Sequence, residues 1–232
     1  MSFAFFFTLA GLAALFVYIR EKLKGCTIKA LIEKSIVSAL FIAVGFSALY
    51  ASPSRCGLFV LAGLVCGILG DIWLDLKYIY PEDDAPYTFS GFISFAIGHV
   101  LFISGMLLDF GSSVPGSKLL LVSVAAIVLG FATVLSAPIM GLNYGKYRGI
   151  SLMYGPLLFG TALVSLLLCL TGGFENTGLL MMLVGGVLFA LSDLVLSGTY
   201  FGEGKNRPVD IILNYVFYYG AQFTIALSIL FF

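Results

Sequence analysis

Long apolar runs separated by short polar segments dominate this sequence. Eight of the runs have about the 20 residues that an α-helix needs to cross a hydrocarbon core of roughly 30 Å. No polar linker between them is long enough to divide the chain into two domains. We therefore predict an all-α fold: a polytopic membrane helical bundle, one integral membrane domain over 1–232, with eight transmembrane helices at about 2–20, 30–51, 56–78, 89–108, 118–137, 150–170, 178–200 and 209–232.

The composition indicates that the surface of this fold faces lipid. Hydrophobic residues make up 60% of the chain and charged residues only 10%, whereas soluble domains carry about 25% charged residues. A soluble fold could not bury this much apolar surface. The formal net charge is zero, which argues against a nucleic-acid partner.

Basic residues are unevenly distributed between the two sets of connecting segments. Ten of the 12 Lys and Arg residues fall on the side of the first, third, fifth and seventh loops, and only Arg55 and Lys118 fall on the other. Short loops rich in Lys and Arg remain in the cytoplasm. We therefore predict a multi-pass protein of the cell membrane with both termini on the non-cytoplasmic side.

Two aspartates in similar surroundings lie inside these apolar runs. Asp71 and Asp193 each come eight residues after a glycine, Gly63 and Gly185 respectively. A carboxylate at membrane depth costs on the order of 2.5–3.5 kcal/mol and usually serves a function. At 1.5 Å per residue, both lie roughly 22 Å along their helices. The pair predicts one shared intramembrane site, nearer the cytoplasmic leaflet.

The similarity between the two aspartate regions continues into the next span of each. Asp71 is followed 28 residues later by His99, and Asp193 is followed 29 residues later by Gln222. Spans 3–4 and 7–8 would then be equivalent parts of a 4+4 arrangement. Because equivalent spans run in the same direction, the repeat is parallel. Chance similarity between apolar helices is the alternative.

Further polar residues are candidates for orienting water or substrate. Asn214, Tyr218 and Gln222 recur at four-residue spacing and form one stripe, which in lipid must face the bundle interior or a wet cavity. Structural hydrogen bonds between helices are the alternative, which we favour for the tyrosines and for Ser151. The orienting candidates are His99, Gln222, Asn214, Tyr218, Asp75 and Tyr147, and a weaker set for binding phosphate is Lys146, Arg148, Lys205 and Arg207.

The polar residues favour acid–base chemistry without a metal or another cofactor. His99 is the only histidine, so a zinc site built from three histidines is excluded. No nucleophile motif of the Gly-x-Ser-x-Gly type and no phosphate-binding loop occurs. Two carboxyl groups close together in an apolar cavity do not both ionise easily. One of them can therefore remain protonated and act as an acid.

The same motifs give the sequence a family resemblance. Gly-Asp71-x-x-Leu with His99 in the next span, and Leu-Ser-Asp193-x-x-Leu with Gln222 in the next, resemble the YhhN-type lysoplasmalogenase family, as does Ile-Ser-Leu-Met at 150–153. The resemblance covers essentially the whole chain. It implies hydrolysis of the vinyl ether bond of lysoplasmalogens, giving a fatty aldehyde and a glycerophospho-alcohol. It also implies a membrane lysophospholipid as partner and Asp71 and Asp193 as the catalytic pair.

Vinyl ether chemistry agrees with two carboxyl groups. The bond is cleaved by protonation of the β-carbon, and water then attacks the resulting oxocarbenium ion. Glycosidases divide similar work between two carboxyl groups, one as acid and one as base or stabiliser. One of Asp71 and Asp193 would be the acid, and the sequence leaves open which.

Two other functions stay open at this point. Intramembrane carboxylates on an internal repeat are also typical of a proton-coupled transporter of lipids or small molecules. A non-catalytic scaffold would use the aspartates only to hold helices together. In that case, replacing Asp71 or Asp193 by asparagine would change stability and leave function intact.

Overall fold

The eight predicted helices are confirmed. The computed structural model describes residues 2–172, 174–204 and 206–232, and these residues form eight α-helices, each long and apolar enough to cross a membrane. In chain order they are α1 Ser2–Lys22, α2 Ile28–Ala51, α3 Arg55–Ile79, α4 Asp84–Phe110, α5 Gly116–Leu135, α6 Arg148–Gly172, α7 Thr177–Phe201 and α8 Pro208–Ser228.

Polar residues at the helix starts explain several of the boundaries. The side chains of Thr27, Ser54 and Asn176 each accept a hydrogen bond from the backbone N–H three residues later, which satisfies an otherwise unpaired donor. The largest difference from prediction is α4, which begins at Asp84 rather than at 89, because a short 3₁₀ turn over Pro81–Asp83 leads directly into it.

Apolar side chains cover the outside of the bundle, and polar ones lie within it. Phe3, Leu121 and Met153 are each about 70% exposed, at 73%, 69% and 71%. Lys34 and His99, in contrast, are only 5% and 1% exposed. This inversion of the soluble pattern, on eight apolar helices, is that of a multi-pass membrane protein.

The helices pack in two similar halves. The contacts of α1 with α2, α2 with α3, and α3 with α4 correspond to those of α5 with α6, α6 with α7, and α7 with α8. Between the halves, the packing of α2 against α8 corresponds to that of α6 against α4. Exchanging the halves therefore leaves the pattern of neighbours nearly unchanged, as a parallel repeat of four helices requires.

Equivalent glycines support the same relation at the level of single residues. A Cβ at Gly63 of α3 would meet the ring of Phe102 at 2.4 Å and the carbonyl oxygen of Gly98 at 2.9 Å. A Cβ at Gly185 of α7 would meet Ile225 at 2.5 Å and the carbonyl oxygen of Ala221 at 3.3 Å. In both halves, the glycine lets the helix bearing the aspartate approach the next helix closely.

The halves differ in the position of their first helix. α1 packs against α8, whereas α5 makes no comparable contact with α4 in the described part of the chain. Instead, the 136–144 segment ties α5 to the end of α7: the N–H of Asn143 donates to the carbonyl of Phe201 at 2.8 Å, and the rings of Tyr144 and Phe201 lie 4.4 Å apart.

Replacing Gly130 by alanine should destabilise the protein, because the added methyl carbon would lie 2.4 Å from the backbone nitrogen of Pro156 in α6. We expect a loss of about 1–3 kcal/mol, measured as a lower thermal unfolding temperature in detergent. Gly149→Ala is the matched control, since a Cβ there meets nothing within 4 Å. Equal effects of the two substitutions would contradict the close approach of α5 and α6.

Candidate active site

A cavity of about 100 Å³ lies inside the bundle and is bordered by both Asp71 and Asp193. Its wall is mostly apolar, with aromatic and leucine side chains from α3, α4, α6 and α7. Residues Gly130 and Thr133 of α5 close one side, where α5 stands apart from α4. The polar side chains on the wall, besides the tyrosines, are Lys34, Asp71, Thr133, Ser151, Ser192, Asp193, Ser197 and Asn214.

Asp71 is surrounded by donors from two other helices. Its Oδ2 accepts hydrogen bonds from the hydroxyl of Ser38 at 2.6 Å and from that of Tyr218 at 2.8 Å. The ammonium of Lys34 lies 3.3 Å from its Oδ1. A buried carboxyl with a cation and two donors is stabilised in its ionised form.

Lys34 belongs to a buried ion cluster of four residues: Lys22 of α1, Lys34 of α2, and Asp71 and Asp75 of α3. The ammonium groups of Lys22 and Lys34 lie 3.1 and 3.4 Å from Oδ1 of Asp75. All four residues are at most 8% exposed. The charges cancel, so no net charge is left in the low-dielectric interior. Asp75 thus serves as a counter-ion and does not border the cavity.

Asp193 has a different electrostatic environment. Its Oδ2 accepts a hydrogen bond of 2.5 Å from the hydroxyl of Tyr154 in α6. Among the residues that the structure describes, none forms a salt bridge with Asp193. The two carboxyl groups that border the cavity therefore differ in charge stabilisation: a cation lies beside Asp71, and a neutral phenol beside Asp193.

Each aspartate leads into a similar chain of hydrogen bonds. The side-chain amide of Gln222 donates to the hydroxyl of Tyr218 at 2.8 Å, and that hydroxyl donates to Asp71. In the other half, Nε2 of His99 lies 3.3 Å from the hydroxyl of Tyr154, which donates to Asp193. Nδ1 of His99 lies 2.9 Å from the Thr161 hydroxyl. With Nε2 as donor, His99 holds the phenol in the orientation that bonds Asp193.

Each aspartate is supported by the polar residue that follows the other aspartate in the sequence. His99 follows Asp71 along the chain but serves Asp193, and Gln222 follows Asp193 but serves Asp71. Contact between the halves explains this exchange, since α4 packs against α6, which carries Tyr154, and α8, which carries Tyr218, packs against α3. His99 and Gln222 thus each reach an aspartate indirectly, through the hydroxyl group of a tyrosine.

The remaining predicted orienting residues divide into two groups. Asn214 borders the cavity and donates to the carbonyl and the hydroxyl of Ser192, the residue before Asp193, at 2.9 and 3.1 Å. Tyr218 borders the cavity as well. Tyr147 does not: its hydroxyl donates to Asp84 at 2.5 Å near the start of α4.

The predicted phosphate-binding residues do not border the cavity where they are described. Lys146 lies 3.5 Å from the carboxylate of Asp84, and Arg207 pairs with Asp210 at 2.9 Å at the start of α8. Arg148 is exposed at the start of α6. Lys205 lies outside the described residues. Within the described ranges, no group of three or more His, Cys, Asp or Glu could hold a metal ion.

Sequence reasoning missed three residues of this site: Lys34, Ser38 and Tyr154. Lys34 counts among the basic residues that predict the cytoplasmic side, and the structure shows in addition that it is buried and paired with both Asp71 and Asp75. A signal was present, because Lys34 and Ser38 are one helical turn apart in an apolar run and so share a face. Tyr154 carried no comparable signal, since a single phenol in an apolar span is usually structural.

A family comparison agrees with this architecture. The model of the YhhN family matches residues 28–229, from the first residue of α2 to the end of the bundle, and includes both aspartates. The chain belongs to the YhhN family. No curated protein and no solved structure matches the chain. Lys34, Ser38 and Tyr154 all lie within the matched range of this YhhN family protein, and Lys22 lies before it.

Proposed function

We propose that this YhhN family protein hydrolyses the vinyl ether bond of a lysophospholipid within the membrane, releasing a fatty aldehyde and a glycerophospho-alcohol. The main support is one apolar cavity bordered by two carboxyl groups, of which Asp71 has a cation beside it and Asp193 has none among the described residues. Acid–base hydrolysis needs such a division, with one group that gives a proton and one that remains an anion.

In the first step, Asp193 is the acid. Because no cation stabilises its ionised form within the described residues, it is suited to carry a proton in the resting state. It transfers that proton to the β-carbon of the vinyl ether, and the electron pair of the double bond forms the new C–H bond. The α-carbon and the ether oxygen then share the positive charge of an oxocarbenium ion.

In the second step, Asp71 is the anion and the base. Lys34, Ser38 and Tyr218 hold it ionised and fixed in position, so that it stabilises the oxocarbenium ion electrostatically. Water attacks the α-carbon and gives a proton to Asp71, forming a hemiacetal. As the hemiacetal collapses, its hydroxyl proton goes to Asp193, and the departing glycerol oxygen takes the proton from Asp71. Both carboxyl groups return to their starting forms.

The neighbouring residues position the two carboxyl groups. Tyr154, supported by His99, fixes Asp193, and Tyr218, supported by Gln222, fixes Asp71. Asn214 fixes the turn of α7 before Asp193 through Ser192. The apolar wall receives the hydrocarbon chain.

The test is aldehyde release by purified protein in detergent from a lysoplasmalogen and, in parallel, from its saturated alkyl-ether analogue. We expect aldehyde from the vinyl ether only, since the saturated ether has no β-carbon that can accept a proton in this way. If folded protein releases no aldehyde from the vinyl ether, the proposal is wrong.

Replacing Tyr154 by phenylalanine should lower the rate of aldehyde release by roughly 10- to 100-fold, because Asp193 loses the hydrogen bond from the Tyr154 hydroxyl and its fixed orientation. Tyr147→Phe is the matched control, since that phenol binds Asp84 away from the cavity. We expect it to retain most of the activity. A larger loss of activity in Tyr147→Phe than in Tyr154→Phe would contradict the role of Tyr154 in positioning Asp193.

A proton-coupled carrier is the second candidate, and the near two-fold relation between the halves favours it. Lysolipid counterflow in proteoliposomes distinguishes the two functions. Uptake that depends on Asp193 without release of aldehyde would support a carrier and contradict a hydrolase.

A further inference from the structure

Ser151 of α6 has an unusual hydroxyl group. Seven serine and threonine residues are buried within the described helices, and six of their hydroxyls have a hydrogen-bond partner: Ser38, Thr88, Thr161, Ser165, Ser192 and Ser228. The hydroxyl of Ser151 has none, although the residue is only 5% exposed. Leaving a buried hydroxyl unpaired costs stability, which calls for a partner that is absent from the free protein.

The position of Ser151 indicates where that partner would lie. Ser151 borders the same cavity as Asp193. It precedes Tyr154, which binds Asp193, by three residues. The two side chains therefore share a face of α6, about 4.5 Å apart along the axis. Because α6 starts at Arg148, Ser151 is nearer the basic loops than Tyr154 is.

The other half of the bundle offers a comparison. On α2, Lys34 precedes Ser38 by one turn, and both bind Asp71. On α6, Ser151 precedes Tyr154 by nearly one turn, but only Tyr154 binds the aspartate. In the second half, the residue one turn before the aspartate's partner is thus a cavity-lining serine with an unpaired hydroxyl group, whereas in the first half it is a lysine that binds the aspartate.

We propose that Ser151 forms a subsite for a hydroxyl group of the lipid next to the ether, and so selects lysolipids with a free central glycerol hydroxyl. The proposal rests on the hydrolase function proposed above. With the vinyl ether at Asp193 and the head group toward the basic loops, the central glycerol carbon comes opposite Ser151. That hydroxyl is on the second carbon from the ether oxygen. An acylated lipid offers no donor there and needs more room.

The test measures binding, so that it does not depend on catalysis. The probes are a saturated alkyl-ether lysophospholipid, which lacks the reactive double bond, and its deoxy analogue, which lacks only the central hydroxyl. Dissociation constants would be measured with wild type, Ser151→Ala and Ser35→Ala in detergent. Ser35 is the control because its hydroxyl bonds to the carbonyl of Leu31 in its own helix.

We expect wild type and Ser35→Ala to bind the hydroxyl-bearing probe roughly 5- to 10-fold more tightly than the deoxy analogue, the effect of one neutral hydrogen bond. Ser151→Ala should bind the two probes equally. If Ser151→Ala retains the preference, or if wild type has none, the subsite is wrong. Absence of aldehyde release with the preference intact would overturn the hydrolase function and leave the subsite standing.

Discussion

Asp193→Asn should lower the rate of aldehyde release from a lysoplasmalogen by about 1,000-fold. Removal of a general acid typically costs 10²- to 10⁴-fold. Asparagine has nearly the same size and still accepts the hydrogen bond from Tyr154, but it has no proton to give to carbon. Because Asp193 has no salt-bridge partner among the described residues, the substitution leaves no unpaired buried charge, and the unfolding temperature should change little.

The matched control is Asp109→Asn, which replaces the same chemical group at the far end of α4. Asp109 pairs with Arg55 at 2.6 Å there and does not border the cavity. We expect Asp109→Asn to retain nearly full activity. An Asp193→Asn protein that is folded, binds the saturated alkyl-ether lysolipid, and still releases aldehyde at the wild-type rate would show that Asp193 is not the acid.

Lys34→Met should destabilise the protein by about 3–5 kcal/mol, the usual cost of removing one partner from a buried ion pair. Lys34 is the shared cation of Asp71 and Asp75, at 3.3 and 3.4 Å. Methionine preserves much of the volume of the side chain but leaves Asp71 without a cation. The measurement is thermal or chemical unfolding in detergent, and activity should fall as well, because the anion of Asp71 is no longer stabilised.

A double substitution separates the charge effect from a packing effect. In Lys34→Met with Asp71→Asn, Lys22 still neutralises Asp75 at 3.1 Å, and the unpaired charge is gone. We therefore expect the double variant to be more stable than Lys34→Met alone, although it is inactive. If the two changes destabilise additively, the ion pair between Lys34 and Asp71 contributes nothing and the electrostatic account is wrong.

The helices could be predicted from the sequence because membrane thickness fixes their length. Apolar runs of about 20 residues indicated all eight, and most ends differ by only a few residues. The early start of α4 at Asp84 could not be read from hydropathy, because Asp84 and the adjacent acidic residues resemble a solvated loop. There, a 3₁₀ turn and the ion pair of Asp84 with Lys146 order the segment.

The site was only partly accessible to sequence reasoning. Asp71 and Asp193 stood out because charge inside an apolar run is costly, and both border the cavity. Their partners depend on which helices touch, and that is a property of the packed bundle. His99 therefore could not be assigned to Asp193, nor Gln222 to Asp71, before the contacts of α4 with α6 and of α8 with α3 were known.

The ion cluster also has a consequence for synthesis of the chain. Its four residues, Lys22, Lys34, Asp71 and Asp75, all lie within the first three helices. Each of those helices alone carries a charge that lipid tolerates poorly. The four residues together are neutral, so α1, α2 and α3 can neutralise the charges of the cluster before α4 is synthesised. The three helices can therefore enter the bilayer with the charges of the cluster already paired.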